Sequence, residues 1–114
     1  YGTYYFRDGN IYQGYFLEAI KTGKGKFYWS NGNRYDGDWL NVERTGKGKF
    51  YWSDGDRYDG EFLNGKRNGY GIYYWSDGAK YSGYWINNKR NGYGTYTDSS
   101  GYSTEEFWND GQRQ

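Results

Sequence analysis

The carboxylates of the chain recur in closely spaced pairs, which is a pattern that could support acid–base chemistry. Asp36 and Asp38 are followed 23 residues later by Asp59 and Glu61. Glycoside hydrolysis uses two carboxylates, but one of them needs an enclosed pocket that raises its pKa. These pairs instead alternate along what the sequence predicts to be an open strand. We therefore expect no catalytic residue, and the chain is not predicted to be an enzyme.

Metal and thiol chemistry are limited by the residue types present. The 114 residues include no Cys, His, Met or Pro, which excludes a Cys/His zinc site, a disulfide, a thiol nucleophile and a His-based triad. Segment 54–60 is similar to the start of a calcium loop, but it lacks the acidic residue that closes such a loop at its twelfth position. Its Asp-Gly step is ordinary turn chemistry. No metal and no cofactor are expected.

Basic residues cluster near a recurring Gly-x-Gly and are predicted to form a positive stripe along one long edge of a sheet. One interpretation is a solvated edge with cross-strand ion pairs, and the other is a site for anionic lipid headgroups or an acidic partner. The balance of 15 basic and 14 acidic residues favours the first. The stripe consists of Lys24, Lys26, Lys47, Lys49, Lys66, Arg67, Lys89 and Arg90. Lys next to aromatics also resembles a single-strand nucleic-acid motif, but its regular recurrence belongs to the repeat described below, so nucleic acid is not favoured.

Aromatic residues dominate the composition, with 17 Tyr, 6 Trp and 6 Phe beside 20 Gly. Eight of them recur four residues apart in each repeat and are predicted to share one face of a sheet. This face is either the core of a one-layer sheet or a groove that accepts a peptide, a helix or a second copy of the chain. The candidate partner-binding residues are Tyr12, Phe16, Tyr35, Trp39, Tyr58, Phe62, Tyr81 and Trp85.

An internal repeat of 23 residues positions all of these groups. The Gly-x-Gly pairs at 23–25, 46–48, 69–71 and 92–94 are in frame without insertion or deletion. Alternating segments such as 58–62 and aromatic runs such as 71–75 predict strands, separated by Asn-Gly and Asp-Gly turns. Each unit is therefore one β-hairpin. Consecutive hairpins predict an antiparallel meander about 45–50 Å long, in which rings lie over glycines.

The chain is predicted to be a single all-β domain, 1–114. It divides into a partial unit 1–11, full units 12–34, 35–57, 58–80 and 81–103, and a degenerate terminal unit 104–114. The chain has no initiator Met and begins at the second glycine of a Gly-x-Gly, so we expect the array to continue upstream. No membrane span and no signal peptide are predicted from its apolar runs.

These features resemble the MORN-repeat (membrane occupation and recognition nexus) family. The resemblance covers residues 2 to about 111, and the clearest unit is Tyr58-Asp59-Gly60-Glu61-Phe62-Leu63-Asn64-Gly65-Lys66-Arg67-Asn68-Gly69-Tyr70-Gly71. It implies an elongated single-layer antiparallel sheet of stacked hairpins without catalytic activity. It also implies roles as protein scaffolds, dimerisation arrays, cytoskeletal components or phospholipid-associated modules.

Two departures from the family pattern have structural consequences. Segments 17–22 and 40–45 lack the Asn-Gly of the usual turn, so a different turn geometry is expected there. Thr104 and Glu106 replace the recurring Tyr and Gly, which predicts that the last unit is a cap.

The function predicted from the sequence is a non-catalytic protein interaction or scaffold module. It would bind a partner peptide or helix, or a second copy, through the aromatic face. The alternative is a peripheral phospholipid (phosphoinositide) membrane-binding module, followed by glycan binding. The expected location is the cytoplasm, alone or associated with a membrane or the cytoskeleton.

Overall fold

The computed structural model describes the backbone of residues 1–17, 20–40 and 43–114 and the side chains of 1–16, 23–40 and 43–114. In these ranges the chain forms one antiparallel sheet with strands in sequence order, and no helix is present. The all-β, single-layer prediction is confirmed. The strands are β1 (Gly2–Tyr5), β2 (Ile11–Leu17), β3 (Ile20–Tyr28), β4 (Arg34–Leu40), β5 (Glu43–Tyr51), β6 (Arg57–Leu63), β7 (Lys66–Tyr74), β8 (Lys80–Ile86), β9 (Lys89–Thr97), β10 (Ser103–Asn109) and β11 (Gln112–Arg113).

The sheet is elongated, with principal extents of 45 × 24 × 19 Å, in agreement with the length expected from strand spacing. Each strand contacts the strands before and after it in the chain. The sheet therefore has no second layer, and its apolar residues must be buried by neighbours on the same face.

The second glycine of each Gly-x-Gly provides the space for this burial. Gly60 and Gly71 are paired across β6 and β7, and the Tyr58 ring lies over Gly71. A Cβ at Gly71 would lie 2.6 Å from Tyr58 Cε1 and still closer to Cζ and Oη. The hydroxyl of Tyr58 then donates a hydrogen bond of 3.1 Å to the carbonyl of Glu61. The ring is thus held flat across two strands, as predicted, and the same arrangement recurs at Tyr35.

The first glycine of the pair has a different role, because it lies at an irregularity in the strand pairing. The register between β6 and β7 shifts after Gly60, and Gly69 adopts a φ of 106°, a conformation that glycine tolerates best. The Glu61 carboxylate packs against Gly69 and accepts a hydrogen bond of 2.7 Å from the Tyr70 N–H. Asp38 accepts the Lys47 N–H in the same way, at 3.1 Å. These carboxylates therefore satisfy donors that the shift removes from the ladder.

The turns along one edge of the sheet are joined to each other by side chains. The Ser53 N–H donates to Asn33 Oδ1 at 2.8 Å, and the Ser76 N–H donates to Asp56 Oδ1 at 2.9 Å. Ala79 stands at the next equivalent position and supplies no side-chain acceptor. Asp56 is thus a turn-bridging residue, and its Oδ2 also accepts a hydrogen bond from the Tyr73 hydroxyl at 2.8 Å.

In the described ranges no cluster of three or more acidic side chains could hold a metal ion.

The opposite edge carries the hairpin turns within each unit. Asn64 and Gly65 both have positive φ, as do Asn87 and Asn88, which is the geometry that a two-residue hairpin turn requires. The predicted difference of the turns in segments 17–22 and 40–45 depends on residues 18, 19, 41 and 42, which lie outside the described residues.

The last unit replaces the ring-over-glycine arrangement with polar contacts. Thr104 pairs with Tyr96, and Glu106 pairs with Gly94 where the other units have glycine facing glycine. The Glu106 carboxylate accepts a hydrogen bond of 2.8 Å from Trp108 Nε1. A longer side chain fits at this position because no tyrosine ring comes from Thr104.

Candidate interaction surfaces

The eight predicted partner-binding rings lie on one face of the sheet, where they form its core. Tyr12, Tyr35, Tyr58 and Tyr81 have no exposed surface, and Trp39, Phe62 and Trp85 are also buried. Phe16 is half-buried against this cluster. The core interpretation therefore accounts for the positions of these rings, and a partner on this face would meet mainly the residues around them.

The core rings pack edge to face in a continuous row. The Tyr58 ring lies 5.1 Å from the Phe62 ring of its own unit and 5.7 Å from the Trp85 ring of the next unit. Both contacts are nearly perpendicular, which is a favourable arrangement for aromatic pairs. Burial of the hydroxyl raises the pKa of Tyr58 well above its ordinary value. The row therefore joins each hairpin to the next by side-chain packing as well as by the backbone ladder.

Three arginines lie over the accessible part of this aromatic face. The guanidinium carbon of Arg67 is 4.8 Å from the centroid of Trp85 and 5.4 Å from that of Tyr73. Arg44 and Arg90 occupy the same place in neighbouring units, at 5.0 Å from Phe50 and 3.6 Å from Trp108, respectively. Cation–π contact of this kind is strongest where water is excluded. All three arginines are half-buried.

Two of the arginines, Arg44 and Arg67, are held by hydrogen bonds to carbonyls and not by ion pairs. Arg44 donates to the Gly65 carbonyl at 2.8 Å, and Arg67 donates to the Asn88 carbonyl at 3.0 Å. In the part of the chain that the structure describes, no carboxylate lies within 4.0 Å of the charged nitrogens of Arg44, Arg67 or Arg90. Burial lowers the pKa of all three guanidinium groups. They remain charged at neutral pH, so the face carries three partly desolvated cations. The charge of Glu43 partly offsets that of Arg44 and the charge of Glu106 partly offsets that of Arg90, whereas no carboxylate of the described residues shifts the pKa of Arg67.

Two cavities open between successive arginines. One lies between Arg44 and Arg67 and has a volume of about 290 Å³, and the other lies between Arg67 and Arg90 and has a volume of about 320 Å³. Trp52 forms part of the floor of the first, and Trp75 takes the equivalent place in the second. Each cavity thus has an aromatic floor and a guanidinium group on either side.

A comparison with models of protein families agrees with this architecture of regular hairpins, flat tyrosines and a Gly-x-Gly frame. A scan against models of protein families matches the MORN repeat at residues 1–11, 12–34, 35–57, 58–80 and 81–101. The chain belongs to the MORN-repeat family. A search of curated proteins found no match. MORN repeats form a non-enzymatic repeat module and act generally in protein or membrane interaction.

The predicted basic stripe is divided between the two faces of this MORN array. Arg67 and Arg90 lie on the aromatic face, whereas Lys24, Lys26, Lys47 and Lys49 lie on the opposite face, and Lys66 and Lys89 are exposed beside the turns. The physical reason is strand alternation, because residues an odd number apart point to opposite sides of a sheet. These eight residues therefore do not form a single continuous stripe. The alternation of residues along each strand indicates this division between faces. The stripe was predicted instead from the closeness of these residues to the Gly-x-Gly in the sequence.

On the second face the lysines of the MORN units face acidic residues. Lys24 forms an ion pair with Asp38 across β3 and β4, and Lys47 is paired in register with Glu61 across β5 and β6. Burial by itself raises the pKa of Asp38, but the hydrogen bond and charge of Lys24, together with Lys47, lower it overall. The charges of this half of the face therefore largely neutralise each other.

The other half of the second face is aromatic at the same positions of the MORN unit. Tyr70 and Tyr84 replace the Lys–acid pair of β5 and β6, and their rings lie 5.6 Å apart. Tyr93 and Phe107 follow, at 4.6 Å. All four rings are exposed. This patch is not evident from the repeat pattern, because its rings lie at positions that other units fill with charged residues.

No helix in the described residues is long and apolar enough to span a membrane.

Proposed function

We propose that this chain is a non-catalytic docking module and that a protein segment binds to its aromatic face. The observation that carries the proposal is the set of three guanidinium groups held over aromatic rings without a carboxylate partner. Aromatic residues and arginine are the side chains that dominate protein interfaces energetically. The contact residues would be Arg44, Arg67, Arg90, Trp29, Trp52 and Trp75, with the predicted rings beneath them as support.

The opposite face offers less electrostatic attraction to an anionic membrane. Lipid attraction needs several basic residues whose charge is not cancelled nearby. Lys24 is paired with Asp38, and the register places Lys47 opposite Glu61. Phospholipid binding is therefore the weaker candidate, and no specific contact favours a glycan.

The proposal is tested by selecting a displayed library of random peptides against the isolated chain. Ligands are then measured against Trp75→Ala, which truncates an accessible ring of the aromatic face. Tyr84→Ala is the matched control, because it truncates an exposed ring of the other face. We expect affinity to fall about tenfold or more for Trp75→Ala and to change little for Tyr84→Ala. Selected ligands that depend on Tyr84 and ignore Trp75 would refute the proposed face.

Two further measurements address the other occupants. Sedimentation of the chain alone over a concentration series tests whether a second copy is the partner. Flotation with phosphoinositide vesicles tests the membrane. Binding that is lost at high salt and on changing Lys24, Lys26, Lys47 and Lys49 to Ala would favour the lipid interpretation over protein docking.

A further inference from the structure

The two cavities of the aromatic face are copies of one another displaced by one repeat. Every residue that lines the cavity between Arg44 and Arg67 has its counterpart 23 positions later in the cavity between Arg67 and Arg90. Phe50 corresponds to Tyr73, and Trp52 corresponds to Trp75. A repeated receptor site of this kind is complementary to a ligand that is itself periodic.

The charge of each cavity indicates what it would receive. Each is bounded by two guanidinium groups that have no ion-pair partner among the described residues. A partly desolvated charge without an ion-pair partner is costly, above all at Arg67, on which no carboxylate of the described residues acts. A carboxylate between two arginines would offset that cost with charge-assisted hydrogen bonds. The cavity volumes of about 290 and 320 Å³ are at the small end for ligand sites and suit one side chain rather than a large headgroup.

The distance between the cavities sets the spacing of the incoming side chains. One repeat advances the sheet by two strands, which is about 9.6 Å at the usual strand separation. In an α-helix, residues seven apart are separated by about 10.5 Å and lie on nearly the same side. An extended segment across this face would leave its own backbone groups without partners, because the sheet offers no free edge there. A helix satisfies its own backbone.

We infer that the partner of the aromatic face is an amphipathic α-helix with two acidic side chains seven residues apart, one for each arginine-bounded cavity. This inference rests on the proposed function. The helix would lie along the long axis of the sheet, with apolar residues between the two carboxylates packing on Trp52 and Trp75. Arg67 borders both cavities and would contact both acidic side chains.

Designed peptides test the inference directly. One helical peptide of about 21 residues carries two Glu seven residues apart, separated by Leu and Ala, and its isomer has the same composition with the two Glu five residues apart, which turns one of them to another side of the helix. Binding is measured by tryptophan fluorescence and calorimetry. We expect the first peptide to bind at least about tenfold more tightly than the isomer. Arg67→Gln should remove this preference, whereas Lys47→Gln on the opposite face should retain it.

The outcomes separate this inference from the proposed function. Equal binding of both peptides, weakened by Trp75→Ala, would leave the docking face standing and refute the spacing. If neither peptide binds, the inferred helix with two acidic side chains seven residues apart is also refuted, whatever the library selection yields. Arginine-dependent binding to phosphoinositide vesicles without peptide binding would identify a membrane as the occupant and overturn the helix. Because the peptide comparison uses the unaltered protein, it does not depend on whether Arg67→Gln folds.

Discussion

Gly71→Ala is expected to destabilise the sheet far more than a glycine-to-alanine change in a strand ordinarily would. The new Cβ would lie 2.6 Å from Tyr58 Cε1 and nearer to two other ring atoms, whereas ordinary contacts begin near 3.4 Å. The ring would have to move by at least about 0.8 Å, yet it is fully buried and its hydroxyl is bonded to the Glu61 carbonyl. Overpacking of this kind costs about 2–3 kcal/mol of unfolding free energy.

Gly2→Ala is the matched control, because Gly2 belongs to the same ladder of paired glycines but a Cβ there would meet nothing within 4 Å. Relief of glycine's entropic cost should make that variant neutral or slightly more stable, by up to about 1 kcal/mol. Urea unfolding followed by tryptophan fluorescence measures both. At a typical slope, the midpoint of Gly71→Ala should fall by roughly 1–2 M.

A Tyr58→Leu background tests the cause of the effect. Without the ring, Gly71→Ala should cost less than about 1 kcal/mol, so the two changes should be strongly non-additive. Equal losses in the presence and absence of the ring, or equal midpoints for Gly71→Ala and Gly2→Ala, would refute the idea that rings lying over glycines hold this sheet together.

Two further predictions concern pH. The folded pKa of Asp38 lies below its ordinary value of 3.8, so its ion pair contributes stability above about pH 4 that is lost as the pH falls through the folded pKa. In urea unfolding, Asp38→Asn should therefore cost about 1 kcal/mol at pH 7 and progressively less as the pH is lowered below about 4. The pKa values of Tyr35 and Tyr58 are raised by burial, so the unfolded chain loses these protons first and stability should decline above about pH 10. Ultraviolet titration should show these tyrosinates forming together with loss of the fold, and their gradual ionisation in a chain that stays folded would contradict the burial argument.

The hairpin order and the packing of Tyr58 over Gly71 could be predicted from the sequence. Both depend on local alternation and on a fixed 23-residue frame, and these carry over directly into register when every unit pairs with the next. The different roles of the two glycines were less accessible. Gly69 is required for its positive φ and Gly71 for its missing side chain, and the spacing alone does not distinguish them.

The candidate surface was harder to predict because it depends on which rings remain accessible. The sequence indicates that Tyr58 and Trp85 share a face, but their burial follows from contacts between adjacent units. Arg67 falls on that face by alternation, yet its position over Trp85 depends on the hydrogen bond to the Asn88 carbonyl. Such long-range contacts become visible only when the hairpins are stacked.

The side-chain bridges along the turns give the array an uneven resistance to opening. Asn33 and Asp56 each tie down the turn of the following hairpin, but Ala79 leaves the turn at 98–101 without such a bridge. The opposite edge of the same hairpin is still held, since the Gly111 N–H donates to the Arg90 carbonyl at 2.9 Å. The last hairpin is therefore held at one end and lacks the side-chain bridge at the other. We expect local opening to begin at the end that lacks the bridge. Amides near Ser99 should exchange their hydrogens faster than those near Ser53. The final unit is then the first part of the array to unfold.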